Sequence, residues 1–173
     1  MDPSLVRMMT RYMAWADDLV LNIASALGPE ELETDRETLF GSISGTFDHI
    51  LLIEEVFQAH LEGRSHTHSS RHRNTTRPFD IVATELRAMD LFYVKFADSQ
   101  SETELDEVVN FTYVGGGDGS MTKGEILIHL VNHATYHRGF ISTLLHPFKL
   151  ESRANDFSVF LRDAWPDIKS EMG

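Results

Sequence analysis

The sequence predicts an all-α protein: a four-helix bundle with an additional C-terminal helix, in one domain spanning residues 1–173. Three observations carry the prediction. Apolar residues recur at three- and four-residue steps through most of the chain. Helix-capping and helix-ending residues punctuate four long periodic stretches. A single segment, residues 99–121, breaks the pattern with β-branched residues, aromatics and glycines.

Leu5, Met8, Tyr12, Leu19 and Ile23 mark a first amphipathic helix over residues 4–27, which "GPEE" stops. Ile43, Phe47, Ile50, Phe57 and Leu61 mark a second helix over 42–62, closed by Gly63. Asp80 is the expected N-cap of a third helix over 80–98, with Ile81, Leu86, Met89 and Phe92 or Tyr93 turned inward. Residues 99–121, with "VVNFTYVGGGDGSMT", read as a loop holding a short strand pair. Thr122 and Glu125 form a capping box that opens a fourth helix running to about residue 145 and ending at Pro147. A last helix over 155–163 carries Phe157, Phe160 and Leu161 ahead of "WPD".

Composition narrows the function. The net charge of −12 argues against nucleic acid as a partner, because phosphate binding needs a basic face. No apolar run is long enough to cross a bilayer. The opening "MDPSLVRMM" lacks the basic-then-apolar order of a signal peptide, so a cytoplasmic location is expected. There are no cysteines, which excludes disulfides, thiolate ligands and a thiol nucleophile from the chain itself. Any metal must be held by His, Asp or Glu. One basic stretch interrupts the acidity: "RSHTHSSRHRNTTRPF", residues 64–79, has four arginines and three histidines. It reads as a solvated loop, with an anion-holding role for Arg71, Arg73 or Arg77 as the alternative.

Within the fourth helix, "HLVNHATYHRG" places His129, His133 and His137 at four-residue steps. On a helical wheel His133 and His137 share the inward arc with Leu130, Ala134 and Ile141, His129 falls at its edge, and Arg138 points away. Two inward imidazoles one turn apart each need a buried partner, and one divalent cation satisfies both. The rise of the helix separates His129 from His137 by about 12 Å, too far for one ion to take all three. The pair therefore needs a ligand from another helix, and His49, His60, Glu54 and the linker histidines His66, His68 and His72 are candidates. Glu54 falls on the apolar face of its helix, where it needs a partner or a supporting role beside the ligands. HExxH is absent, as are the Glu-x-x-His pairs of di-iron bundles. What remains is a mononuclear site with about three histidine ligands and open positions, the pattern of a catalytic ion.

These residues resemble the DinB/YfiT-like family of helical-bundle metalloenzymes. The matching pieces are "YMAWADD", "FGSISGTFDHILLIEEVFQAHLEG", "FTYVGGG", "ILIHLVNHATYHRGFI" and "NDFSVFL", which together span nearly the whole chain. The resemblance implies a divalent metal, nickel or zinc, on His49, His133 and His137, and a homodimer. It also implies chemistry like that of thiol S-transferases and isomerases, which use low-molecular-weight thiols such as bacillithiol, mycothiol or glutathione. Two positions depart from the pattern: Asp17 stands where relatives often have Asn, and Phe140 where they often have Gln. Phe140 lies near the inward arc, so a phenyl ring would replace an amide beside the pocket. His129 is within reach of a substrate or a ligand-supporting group. The competing readings are a metal-dependent hydrolase with Glu54 or Glu55 as base, and a non-catalytic, stress-related metal-binding bundle.

Overall fold

Four long helices carry the architecture: α1 (Pro3–Ala24), α3 (Ile43–Leu61), α4 (Phe79–Ser99) and α6 (Lys123–Leu145). The computed structural model describes residues 1–75, 77–151 and 153–172. Helices α1 and α3 each pack against both α4 and α6, so α1 and α3 stand on one diagonal of the bundle and α4 and α6 on the other. Between them come α2 (Pro29–Glu33), α5 (Glu102–Leu105) and an antiparallel pair, β1 (Val108–Thr112) and β2 (Asp118–Thr122). A 3₁₀ turn at His146–Phe148 leads to two short helices, α7 (Phe157–Asp163) and α8 (Trp165–Glu171). The all-α bundle and the strand pair agree with the sequence reading. No helix is long and apolar enough to cross a membrane among the described residues.

Local chemistry explains the boundaries. Ser42 caps α3, its hydroxyl accepting from the Gly45 N–H at 2.9 Å. The capping box that opens α6 is present in both directions: Thr122 Oγ1 accepts from the Glu125 N–H, and the Glu125 carboxylate accepts from the Thr122 N–H. A second capping box, Ser101 with Glu104, makes α5 inside a stretch expected to be a loop. "GPEE" does more than stop α1, because Pro29 at the first position starts α2. Pro166 likewise sits in the first turn of α8, so "WPD" begins a helix rather than ending one. Pro78 takes the N-cap position of α4, leaving Asp80 inside the first turn.

The wheels also shift in phase. Leu5 and Ile81 are exposed, whereas Val6, Val82 and Ala83 are buried. Helix α3 is buried on nearly every face, because α2, the basic segment and two long helices cover it. The basic segment is not a free loop. Arg73 bridges Asp48 at 3.0 Å and Glu55 at 2.8 Å, and Arg77 bridges Asp48 at 3.1 Å and Glu85 at 2.7 Å. Ser44 adds a hydrogen bond to the Arg77 carbonyl. Two of its arginines are thus spent tying the segment to α3 and α4.

Candidate metal centre

His49 is presented by α3 and His133 and His137 by α6, two helices packed side by side. One ring nitrogen from each histidine lies within 4.8 Å of the others. The ring centres are 4.4 Å apart for His133–His137, 4.6 Å for His49–His137 and 5.0 Å for His49–His133. The Nε2 atoms of His49 and His133 stand 3.1 Å apart. The other nitrogen of His49, Nδ1, is 2.5 Å from the carbonyl oxygen of Arg71. A carbonyl only accepts, so Nδ1 carries the proton and donates, and the lone pair sits on Nε2, facing the other rings. A ligating histidine has this arrangement, with its second N–H held by a carbonyl or carboxylate. His133 Nδ1 and His137 Nδ1 are buried with no hydrogen-bond partner. The residues present fit a divalent cation on other grounds: the His49 Nε2 lone pair faces the His133 ring, and one nitrogen of each of the three imidazoles lies close to the other two.

Burial, reinforced by the neighbouring imidazoles, lowers the pKa of His133 to about 3 and that of His137 to about 4. Burial also lowers His49 and His129, although the Arg71 carbonyl pulls His49 partly back. All four rings are neutral at pH 7, the form in which imidazole donates to a metal.

The cluster forms one wall of a pocket of about 930 Å³. Phe40 stacks on His49 at 4.1 Å between ring centres and meets His137 edge-on at 5.2 Å. Gly45 makes that placement feasible, since a side chain there would overlap the Phe40 carbonyl. Tyr136 flanks His137 at 5.0 Å and is largely exposed at the mouth. The far wall comes from the hairpin turn, where Gly115, Gly116 and Gly117 all hold φ near +95° to +99°, a run that favours glycine. Among the described residues lining this pocket there is neither Asp nor Glu, while Arg71 and His72 are present.

The sequence-predicted residues divide. His49, His133 and His137 converge, and His129 lines the same pocket, half-buried, 5.1 Å from Phe57 and 6.0 Å from His133 between ring centres. Glu54 does not support the histidines. It lies fully buried with Asp17 and Asp90 in a separate group, one carboxylate oxygen of each within 4.8 Å of the others. Nor does Arg138 point away: it is 1% exposed and donates to Asp17 Oδ1 at 2.9 Å across the bundle. Phe140 is half-buried and is not among the residues lining the pocket. The other candidate ligands His60, His66 and His68 stand outside the cluster, half-buried and packed together. Sequence reasoning missed Phe40, Tyr136 and the Arg71 carbonyl. The "FGS" start of the second helix was the sole signal for Phe40, and a carbonyl leaves none.

A helical bundle with three neutral imidazoles converging on an aromatic pocket defines a class, the candidate mononuclear metallo-bundle. The chain belongs to the DinB family, whose sequence model matches residues 1–165. It is 27% identical over 160 residues to Protein DinB of Bacillus subtilis (strain 168), a match covering 87% of this chain and 90% of that protein. The crystal structure of a DinB-like protein from Bacillus cereus ATCC 10987 superposes with a TM-score of 0.63 at 15% identity, covering 84% of this chain and 94% of that one. The structural likeness bears on the fold alone.

Proposed function

We propose that His49, His133 and His137 hold a divalent cation, nickel or zinc, and that the pocket above them transfers a low-molecular-weight thiol to a small electrophile. One observation carries the reading: three neutral imidazoles, one with its tautomer set by the Arg71 carbonyl, converge at the wall of a large aromatic pocket. A bound ion supplies Lewis acidity, lowering the pKa of a thiol or water in an open position. The chain's own groups do the rest. Phe40, Phe57, Phe111 and Tyr136 exclude water and pack an apolar substrate body. Arg71 and His72 favour an anionic thiol at the mouth. His129, neutral and on the pocket wall, accepts the thiol proton as sulfur attacks the electrophilic carbon and the leaving group departs.

The absence of cysteine is consistent with sulfur arriving from outside. Neither carboxylate offered as a hydrolytic base is available: Glu54 is sealed in the core, and Glu55 is committed to Arg73 and His68. The same reading takes the protein as a cytoplasmic homodimer acting on a small molecule, with no nucleic-acid or membrane partner.

The test is metal analysis of untagged protein, followed by assays of small electrophiles with bacillithiol, mycothiol and glutathione. One tightly held equivalent of metal that survives purification in the wild type, its absence in His133→Ala, and turnover that requires both metal and added thiol are expected. Full occupancy in His133→Ala would refute the ligand assignment, and turnover without thiol would refute the transferase.

A further inference from the structure

Three imidazoles outside the cluster are also gathered. His60 lies in the last turn of α3, and His66 and His68 stand in the basic segment that folds back beside it. The ring centres of His60 and His66 are 5.3 Å apart, at 76° between planes. His60 Nε2 and His66 Nδ1 are both buried without a hydrogen-bond partner. Two imidazoles on one tetrahedral ion, each at about 2.0–2.1 Å, have ring centres roughly 5 Å apart. The pair has that spacing, as do the three histidines of the main cluster. Phe111 stacks on His60 at 4.8 Å and holds the ring's orientation. Gly119, opposite Phe111 in the strand pair, leaves the room that the phenyl ring occupies.

His60 and His66 line a second cavity of about 470 Å³, with His68 and Asn110. This cavity shares His60, Phe111 and the Tyr113–Gly115 turn with the main pocket. His68 is otherwise engaged, its Nε2 lying 2.9 Å from Glu55.

We propose that His60 and His66 form a second transition-metal site on the rim of the same groove, weaker than the first and separate from it. Imidazole donors select a borderline divalent ion such as Zn²⁺, Ni²⁺ or Cu²⁺. Among the described residues lining this cavity there is neither Asp nor Glu, which disfavours Ca²⁺ and Mg²⁺. Two protein ligands leave the remaining positions to water, so binding is weaker than on three histidines. The donors are distinct from His49, His133 and His137, so the proposal stands without the primary site.

The test is calorimetric titration of Zn²⁺ into untagged, chelator-stripped protein. The wild type is expected to take a tighter and a weaker equivalent. His60→Ala and His66→Ala should each weaken the second at least tenfold and leave the first intact, while His133→Ala should remove the first and leave the second. His66 lies in a loop rather than a helix, so His66→Ala keeps the test sound if His60→Ala unfolds. The proposal is overturned if the wild type takes no weaker equivalent, or if that equivalent survives unchanged in His66→Ala. If His133→Ala keeps the tighter equivalent while His66→Ala loses the weaker one, the rim site stands and the primary assignment falls.

Discussion

Two groups of three chemistry-bearing side chains lie within the same four helices and are built in opposite ways. His49, His133 and His137 are bases that burial keeps free of protons. Asp17, Glu54 and Asp90 are acids whose pKa burial raises, Glu54 and Asp90 well beyond the usual carboxylate range, while the Arg138 guanidinium pulls Asp17 back down and pairs with it. The first group faces a pocket. The second is closed inside the bundle, drawing Asp17 from α1, Glu54 from α3 and Asp90 from α4, with Arg138 from α6 beside them. His137 and Arg138 are chain neighbours, yet each serves a different group. A helix turns about 100° per residue, so one side chain can meet a cavity while the next enters the core. "HRG" reads as one motif and performs two tasks: the histidine belongs to the site and the arginine to the scaffold.

The contrast can be broken most forcefully at the ion pair. Asp17→Ala leaves the Arg138 guanidinium buried and unpaired, a loss of about 3–5 kcal/mol. Urea denaturation should show that loss, while metal per folded molecule stays unchanged. A parallel loss of metal would mean that the two groups are one. The next effect is metal-dependent. Zinc at 100 times its Kd should raise wild-type stability by about 2.7 kcal/mol. The same addition should stabilise His133→Ala far less, and a thermal melt reads the difference.

pH separates the groups by sign. The histidines' pKa is depressed from 6.5 in the folded state, to about 3 and about 4 for His133 and His137, so their contribution is present above pH 6.5 and lost on acidification through those values. Glu54 and Asp90 have raised folded pKa values, so theirs is present below the ordinary 4.5 and 3.8 and lost as pH rises through the folded values. In chelator-treated protein, Glu54→Gln should flatten the fall in stability as pH rises above the ordinary carboxylate value and His133→Ala the fall on acidification, each on the order of 1 kcal/mol across two pH units. Exchange of these outcomes between the variants would reverse the assignment. The smallest change comes from Phe40→Ala, which removes the ring stacked on His49. An aromatic pair contributes about 0.5–1.5 kcal/mol, so metal affinity should weaken roughly two- to tenfold. No change would show that the Arg71 carbonyl alone orients His49.

The long helices were legible because their apolar spacing and caps are local. The capping box at Thr122 is plain because an apolar periodic run follows it, whereas the same chemistry at Ser101 is masked by the β-branched stretch after it. Wheel phase failed at Leu5 and Ile81, where buried and exposed apolar residues sit side by side and only tertiary contact decides between them. His133 and His137 show themselves by periodicity; His49 stands at the flank of its helix's apolar face and His60 nearer the helix end, and only the family resemblance turns that difference into a ligand assignment. A single inward arc cannot place Arg138, because α6 packs on both α1 and α3 and presents an inward side to each.

The hydrogen bond that orients His49 ends on the main-chain oxygen of Arg71, so no side-chain replacement at position 71 deletes the acceptor. What can dislodge it is a shift in the path of the strap between α3 and α4, which Arg73 and Arg77 pin in place. Natural variation in this part of the molecule should therefore tolerate spelling changes at residue 71 more readily than insertions or deletions, which would move the oxygen itself.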